Sequence, residues 1–464
     1  MSKVNGNLSL DKKYFTDIPH QEKAEKNVIQ NDPLGITTKT SSPEQESRIN
    51  KYILKAEVNK LFSEFVLSGK YVFNSEIKSW IDKSSGEILE SFKDVDRNTF
   101  KDLNRTYNCM RLRSIGDEIT IHKHQETNKA FYKGLTTCAR VWNCPICATK
   151  ISERRKIELR YLIDSVLKEG HKIYFLTLTN RHGYNHNLKA ILEAQKKVLL
   201  KMTSGKNSVK NNLSSNGIDQ LGYVRVLENT HGKHGWHPHF HILLIIDTSK
   251  NEHETIDLLQ KVYDKKWIES WGNLQKRIKD NSFEIDKLIP LSKDSKGNNI
   301  AVTVTSGTRT EIDKYMTKTN LKWNIEAELT KSHQKVSKSE EGVTAWDLLR
   351  IMSGQKEKKG YSYPKARSLF LEYIKMMKGS RQMYWSNGLK SKFGIIDQTD
   401  EDILKDIDTP SFLLSNIELR IWKNILKAKK EADVLNKAEN LEIGEFVNYI
   451  NSFINHKIIN HASN

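Results

Sequence analysis

Long apolar runs are what this chain most clearly lacks. No stretch approaches the roughly 18 consecutive apolar residues that a membrane-spanning helix requires, so a helical membrane protein is set aside. The opening Met1-Ser2-Lys3-Val4-Asn5-Gly6 has none of the apolar core of a secretory signal. A soluble, cytoplasmic protein with no membrane partner is expected. Cysteine is scarce as well: four residues are too few to staple a chain of 464 by disulfides. Acidic residues fall short of basic ones, 57 against 75, leaving a formal net charge of +18. An excess of that size favours a polyanionic partner, since each neutralised phosphate releases counterions. It does not identify the partner, because charge runs usually belong to solvated faces. The apolar fraction is only 37%, which predicts that some segments are solvated rather than packed. At ~150 residues per domain, the length corresponds to about three units.

What is present is organised in blocks. Residues 1–50 are rich in Lys, Asn, Asp, Ser and Gln, are interrupted by Pro19, Pro33 and Pro43, and read as a disordered leader. From Lys51 the spacing of Leu54, Val58, Leu61, Phe62 and Phe65 predicts a helix ending near Gly69. A weaker helical patch follows through Trp80, Ile81, Ile88, Leu89 and Phe92, giving a helical segment over 51–104. All four cysteines then fall within 105–168. Cys144-Pro-Ile-Cys147 has the spacing of a zinc knuckle, Cys138 is near enough to join it, and Cys109 could complete a tetrahedral four-thiolate site. The alternative is four unrelated buried thiols. Arg154, Arg155 and Lys156 open an amphipathic helix whose basic end could track a phosphate backbone.

The most informative stretch is Gly235-Trp-His237-Pro238-His239-Phe-His241, which runs into Ile242-Leu-Leu-Ile-Ile246. Side chains alternate along a strand, so His237, His239 and His241 should share one face. Proline is normally confined to strand starts or edges, so Pro238 is expected to mark the entrance and leave His237 half in the preceding turn. Three imidazoles on one face suit a metal, though histidines satisfied within a core or on a wet sheet face would look the same. Around this strand, His171–Thr179 reads as a strand, Leu188–Met202 as a helix and Leu221–Leu227 as a hairpin partner. Thr255–Trp271 reads as a helix and Asn299–Thr305 as a strand. That order, β-α-β-β-α-β, is the ferredoxin-like arrangement. The predicted class is therefore α+β, an antiparallel core over 169–325, with a linker over 326–345 and a helical region over 346–464. In that last region Trp346–Met352, Ala366–Met377, Phe412–Ala432 and Ile443–Ile454 look helical.

A second constellation lies on the helix expected from about Thr308 to Thr319. Glu311, Tyr315 and Lys318 stand at i, i+4 and i+7 and share a face. A carboxylate, a phenol and an ammonium so aligned could serve as general base, nucleophile and phosphate partner, although the same spacing fits an ordinary solvated helix with a packing tyrosine. Beside a histidine-bound ion, the phenol could attack phosphorus. Glu228, which ends the strand paired with the histidine strand and lies near the hairpin mouth, could reach the same ion.

These residues resemble the rolling-circle plasmid replication initiators of the HUH endonuclease class, in their single-tyrosine form from Gram-positive plasmids. His239-Phe-His241 matches the histidine, hydrophobic, histidine signature. Phe175-Leu-Thr-Leu-Thr179 and Tyr315-Met-Thr-Lys318 match two further motifs, and Cys138–Cys147 looks like an upstream cysteine motif. Trp346, Tyr373, Lys378-Gly-Ser-Arg381 and Trp385-Ser-Asn-Gly-Leu389 are similar to the C-terminal region. The resemblance spans about 105–395. It implies nicking of one strand at a plasmid double-strand origin, a 5′ phosphate attached to Tyr315 and a free 3′ hydroxyl primer. It further implies a Mg or Mn ion on His239, His241, Glu228 and His237, and a structural Zn on the cysteines. Water activation by Glu311 at termination is implied too, with single-stranded DNA, a host helicase and a replicative polymerase as partners. Rival readings are a zinc-stabilised, non-catalytic DNA-binding regulator and, within the class, a relaxase or transposase.

Overall fold

The computed structural model describes residues 43–66, 71–77, 79–88, 97–184, 186–277, 288–307, 342–405 and 410–454. In chain order its elements begin with α1 (Pro43–Val66), β1 (Tyr71–Asn74), β2 (Ser79–Asp82), α2 (Arg97–Asn108), β3 (Ile119–His124), β4 (Ala130–Lys133) and α3 (Pro145–Lys168). There follow β5 (Lys172–Leu178), α4 (Leu188–Thr203), α5 (Val209–Ser214), β6 (Asp219–Gly232), β7 (Gly235–Asp247), α6 (Glu252–Gln275) and β8 (Val302–Ser306). After β8 come β9 (Val343–Thr344), α7 (Ala345–Met352), α8 (Tyr363–Met377) and β10 (Met383–Trp385). Two short helices, α9 (Leu389–Lys392) and α10 (Asp400–Lys405), precede β11 (Ser411–Ile417), α11 (Leu419–Lys427), α12 (Glu431–Asn440) and α13 (Ile443–Asn451). The chain divides into two compact units, one built mainly from Ala148–Thr399, the other from residues up to Ile88 with Val95–Cys147 and Asp400 onward. Among the described residues no helix is long and apolar enough to cross a membrane.

In the second of these units, α1 buries Leu54, Val58, Leu61, Phe62 and Phe65, the helical face that their spacing predicts. The helix begins at Pro43, inside the segment expected as leader, and proline's fixed φ suits a first helical position. Arg48 on this first stretch donates to Asn436 Oδ1 at 2.7 Å and to Glu439, and Glu439 also accepts the Ala130 N–H at 2.8 Å. The helical patch expected around Trp80 is instead an antiparallel hairpin, β1 with β2. The Asn74 side chain accepts the Glu76 N–H at 2.9 Å, and this turn chemistry outweighs a weak helical period. A three-stranded sheet, β11-β3-β4, completes the unit. Its β11 corrects the expectation of one helix over Phe412–Ala432: Ser411–Ile417 pairs with β3, and only Leu419–Lys427 is helical before α12 begins. Pairing with a strand so distant in sequence leaves no local signal.

The other unit carries an antiparallel sheet in the order β10-β6-β7-β5-β8, with β9 also on β6. Its β5-α4-β6-β7-α6-β8 succession is the ferredoxin-like βαββαβ core, with α5 inserted after α4. Central β7 has β5 on one side and β6 on the other. That is why Ile242–Ile246 reads as a continuous apolar run: both faces are covered. On one face, Leu243 and Ile245 join Val224, Val226 and Ile173 against Leu159, Leu162, Ile163 and Val166 of α3, with Met383, Leu389 and Phe393 closing the cluster. On the other, α6 donates from Tyr263 Oη to Gln220 Oε1 at 3.0 Å and from Trp267 Nε1 to the Thr179 carbonyl at 2.6 Å, and α4 lies beside α6.

Two boundaries differ from the sequence expectation. β6 runs on to Gly232 and β7 starts at Gly235, so Lys233 and His234 alone form the turn, and Gly235 has φ +83 there. Pro238 therefore lies inside the strand, opposite Asn229, not at its entrance. It is tolerated because pairing with β5 stops at Phe240, so the missing N–H falls on a side without a strand. The Pro238 carbonyl is satisfied by Gln195 Nε2 of α4 at 2.7 Å.

Leu243 is wholly buried at the centre of the apolar cluster. Leu243→Ala is expected to destabilise this unit by about 2–5 kcal/mol through lost transfer energy and a residual cavity. A denaturation midpoint unchanged from the parent would contradict this packing.

Candidate functional site

Along one face of β7 the odd-numbered residues change character, from Ile245 and Leu243 to His241, His239 and His237. The helix α3 covers the apolar end of that face, whereas the imidazoles lie beyond it and remain partly exposed. Register then fixes the neighbours. Glu228 stands directly opposite His239, and Val226 and Thr177 flank His241 on either side. Glu228 is thus held inside β6, not at the end of a strand as the sequence suggests.

The result is a group of three donors. Glu228 Oε2 is 3.1 Å from His241 Nε2 and 3.6 Å from His239 Nε2, and one ligand atom from each residue lies within 4.8 Å of the others. The outer ring nitrogens have partners that orient the rings. His239 Nδ1 is 3.2 Å from the His237 carbonyl, which only accepts, so Nδ1 donates to it and Nε2 is the nitrogen turned towards Glu228. His241 Nδ1 lies 3.3 Å from Thr177 Oγ1, and Phe175 stacks on its ring with centroids 5.7 Å apart. Two imidazole nitrogens and a carboxylate, pre-aimed and open to solvent on one side, fit a divalent cation with coordination positions left for water or substrate.

His237 is placed differently. Its ring stacks on His182 at 4.4 Å and lies 5.0 Å from His239, outside the three-atom group. Burial, aided by the neighbouring His239 and His182, lowers its pKa to about 3, so it is neutral at physiological pH. Tyr315, Glu311 and Lys318 lie outside the described residues. Arg154, Arg155 and Lys156 are half-buried on α3, with the Arg154 guanidinium donating to Gln398 Oε1 at 3.2 and 3.3 Å.

In the other unit, Cys109, Cys138, Cys144 and Cys147 converge, each buried. Cys109 and Cys147 sulfurs are 3.5 Å apart, Cys138 and Cys147 3.6 Å, and Cys144 and Cys109 3.7 Å. Tetrahedral Zn–S bonds of about 2.3 Å would place sulfurs ~3.8 Å apart, so this donor set fits zinc. Although burial pushes the Cys144 thiol up, hydrogen bonds from Cys109, Cys138 and Cys147 and the charge of Lys55 hold it well below its ordinary value. Lys55 is a component that sequence reasoning misses. It is buried on α1, and its ammonium donates at 2.6 Å to the Thr106 carbonyl, which also accepts the Cys109 N–H at 3.2 Å. A helical lysine among polar neighbours gives no sign of burial. Thr177 and Gln195 are missed likewise, since their roles depend on strand register and helix docking.

Fold and site together define a class: an α+β protein presenting a two-histidine, one-carboxylate group on the open end of a ferredoxin-like antiparallel sheet. A family model described as Replication protein matches residues 130–411, well over half of the chain, and the chain belongs to that family. It is 29% identical to a Protein rep of Streptomyces lividans over 24% of this chain and 30% of the relative. It is 25% identical to a Protein rep of Streptococcus pneumoniae over 35% of this chain and 49% of the relative. With a Protein rep of Bacillus amyloliquefaciens it shares 29% identity over 29% of this chain and 38% of the relative. The alignments thus span less than half the length of these curated relatives. No solved structure matches.

His231, beside the hairpin turn and opposite Trp236, gives a pH test. Its Nδ1 lies 2.9 Å from Tyr361 Oη, and burial together with the Lys365 charge lowers its pKa to about 4. The unfolded chain takes up this proton near pH 6.5, whereas the folded chain waits until about pH 4. The contribution of neutral His231 is therefore complete above pH 6.5 and lost progressively as pH falls towards 4. Denaturant midpoints at pH 7 and pH 5 should differ less in His231→Gln than in the parent; an equal difference would rule out this titration.

Proposed function

We propose that this chain is a plasmid rolling-circle replication initiator that nicks one strand of the double-strand origin. The convergence of Glu228, His239 and His241 on the open end of the sheet, in a member of the replication protein family, carries the proposal. In this reading Tyr315 Oη attacks the scissile phosphorus and loses its proton as the P–O bond to the 3′ oxygen breaks. The 5′ phosphate becomes a phosphotyrosine, and the 3′ oxygen takes up a proton to leave as the hydroxyl that primes synthesis. Lys318 contacts the phosphate. Glu311, four residues before the tyrosine, activates water at termination, the alternative being transfer of the strand to a second 3′ end.

Glu228, His239 and His241 would hold Mg or Mn, with His237 as an adjoining candidate. When bound, such an ion polarises a phosphoryl oxygen and offsets charge in the in-line displacement. The chain's own contribution is orientation: the His237 carbonyl and Thr177 fix the ring planes, and β6 holds Glu228 opposite them. The four cysteines would hold a structural zinc, and Arg154, Arg155 and Lys156 would contact phosphates. Origin DNA, the displaced single strand, a host helicase and a replicative polymerase are the partners of this reading, in the cytoplasm.

Incubation with a labelled oligonucleotide carrying the origin should transfer label to the protein in a metal-dependent manner, and Tyr315→Phe should reduce transfer by at least about 10³-fold. Transfer that survives this substitution would remove Tyr315 as nucleophile. For the cysteines, purified protein should contain one equivalent of zinc, lost on Cys144→Ser with a lower melting temperature; metal-free protein of unchanged stability would refute the zinc assignment.

A further inference from the structure

Helices α4 and α6 lie side by side on the sheet face opposite the Glu228, His239 and His241 group, and their outward sides differ in charge. On α6 and its approach, basic residues other than Lys261 are matched locally: Lys250 to Glu254 at 2.7 Å, His253 to Asp257 at 3.2 Å, Lys266 to Glu269 at 3.4 Å and Lys265 to Glu269 at 3.9 Å. Such i,i+3 and i,i+4 pairs make a self-neutralised, solvated helix. On α4 the exposed residues are Lys189, Glu193, Lys196, Lys197, Leu200, Lys201 and Thr203, and exposed Lys206 and Lys210 follow it in the chain. Glu193 is the only acid from Leu188 to Ile218. Among the described residues none of these lysines forms an ion pair.

A row of unmatched ammonium groups on a rigid helix costs stability through mutual repulsion and attracts polyanions. At ~1.5 Å per residue, Lys189 to Lys201 spans about 18 Å. Each DNA strand carries a phosphate about every 3.4 Å, so the row can meet several. An anionic membrane is a poorer fit. An interfacial helix needs a broad apolar face beside its cations, and Leu200 is the lone large apolar side chain on this outward side. The inward side, Ile191, Ala194, Gln195 and Val198, is already buried in the fold.

We propose that the outward side of α4, continued by Lys206 and Lys210, holds the phosphate backbone of duplex DNA on the sheet face opposite the Glu228, His239 and His241 group. Only the choice of DNA as polyanion rests on the function proposed above. The surface is electrostatic and reads no sequence, so it would anchor the duplex independently of origin recognition.

The test uses the full chain and a labelled 30-base-pair duplex without origin sequence, titrated by fluorescence anisotropy at several salt concentrations. Replacing Lys189, Lys196, Lys197 and Lys201 by glutamine should weaken binding at least about tenfold at low salt and reduce the slope of log affinity against log salt by about three. The matching lysine-to-arginine variant should keep the parent slope, which separates lost charge from lost fold. Lys261→Gln with Lys265→Gln on α6 should also leave it unchanged. A quadruple glutamine variant with the parent slope would overturn the proposal, as would lost binding to phosphatidylglycerol vesicles with duplex binding intact. The slope change in a protein whose parent forms no covalent adduct with origin oligonucleotides would support this surface while counting against the nicking reading.

Discussion

The fold's capacity to present chemistry depends on β7 being flanked on both sides over only part of its length. Over Ile242–Ile246, where β5 and β6 both pair with it, every residue is covered and the strand is apolar without interruption. From His241 back towards the turn, with pairing to β5 ending at Phe240, the alternation becomes visible and one face turns to imidazole. Pro238, Gln195 and the His237 carbonyl all belong to this transition. Proline occupies the first position freed from the β5 ladder, its carbonyl is taken by a helix side chain, and the carbonyl one residue nearer the turn, that of His237, lies 3.2 Å from His239 Nδ1.

Much of this arrangement is legible in the chain itself. Period-two spacing places His237, His239 and His241 on one face, and the succession of strand and helix patterns yields the βαββαβ core. What the chain does not display is register. Glu228 is adjacent to His239 because the hairpin turn is two residues long, which makes β6 and β7 longer than their apolar centres suggest. Thr177 meets His241 through pairing across some sixty residues, and β11 exists because β3 offers it an edge. The turn at Asn74 shows the opposite failure, since a local side-chain hydrogen bond decides a conformation that a faint helical period misreads. Lys55 combines both difficulties, being polar in sequence and buried by packing that sequence cannot reveal.

The two donor groups differ in a way that bears on what each can do. The cysteines are enclosed, at most 1% exposed, and provide four sulfurs, the full donor number of a tetrahedral site. The carboxylate and imidazoles are 12–14% exposed and provide only three donors. A closed set exchanges slowly and contributes to folding, whereas an open set binds its ion more weakly and leaves positions for an incoming oxygen. Hard and borderline donors on the sheet and soft donors in the other unit also separate the metals each prefers, so both groups can coexist in one chain without competing for the same ion.

Charge is distributed with comparable economy. The formal excess of +18 is not spread evenly over the surface, for α6 pairs most of its basic groups with its own acids while α4 does not. Both helices serve the same structural purpose, covering one side of the sheet, and an exposed helix face gains a few tenths of a kcal/mol from each i,i+4 pair it forms. Folding alone would favour such pairs on both helices. Their absence from α4 leaves its positive field unspent in the free protein, and a field of that kind is available only to a partner that supplies the negative charge.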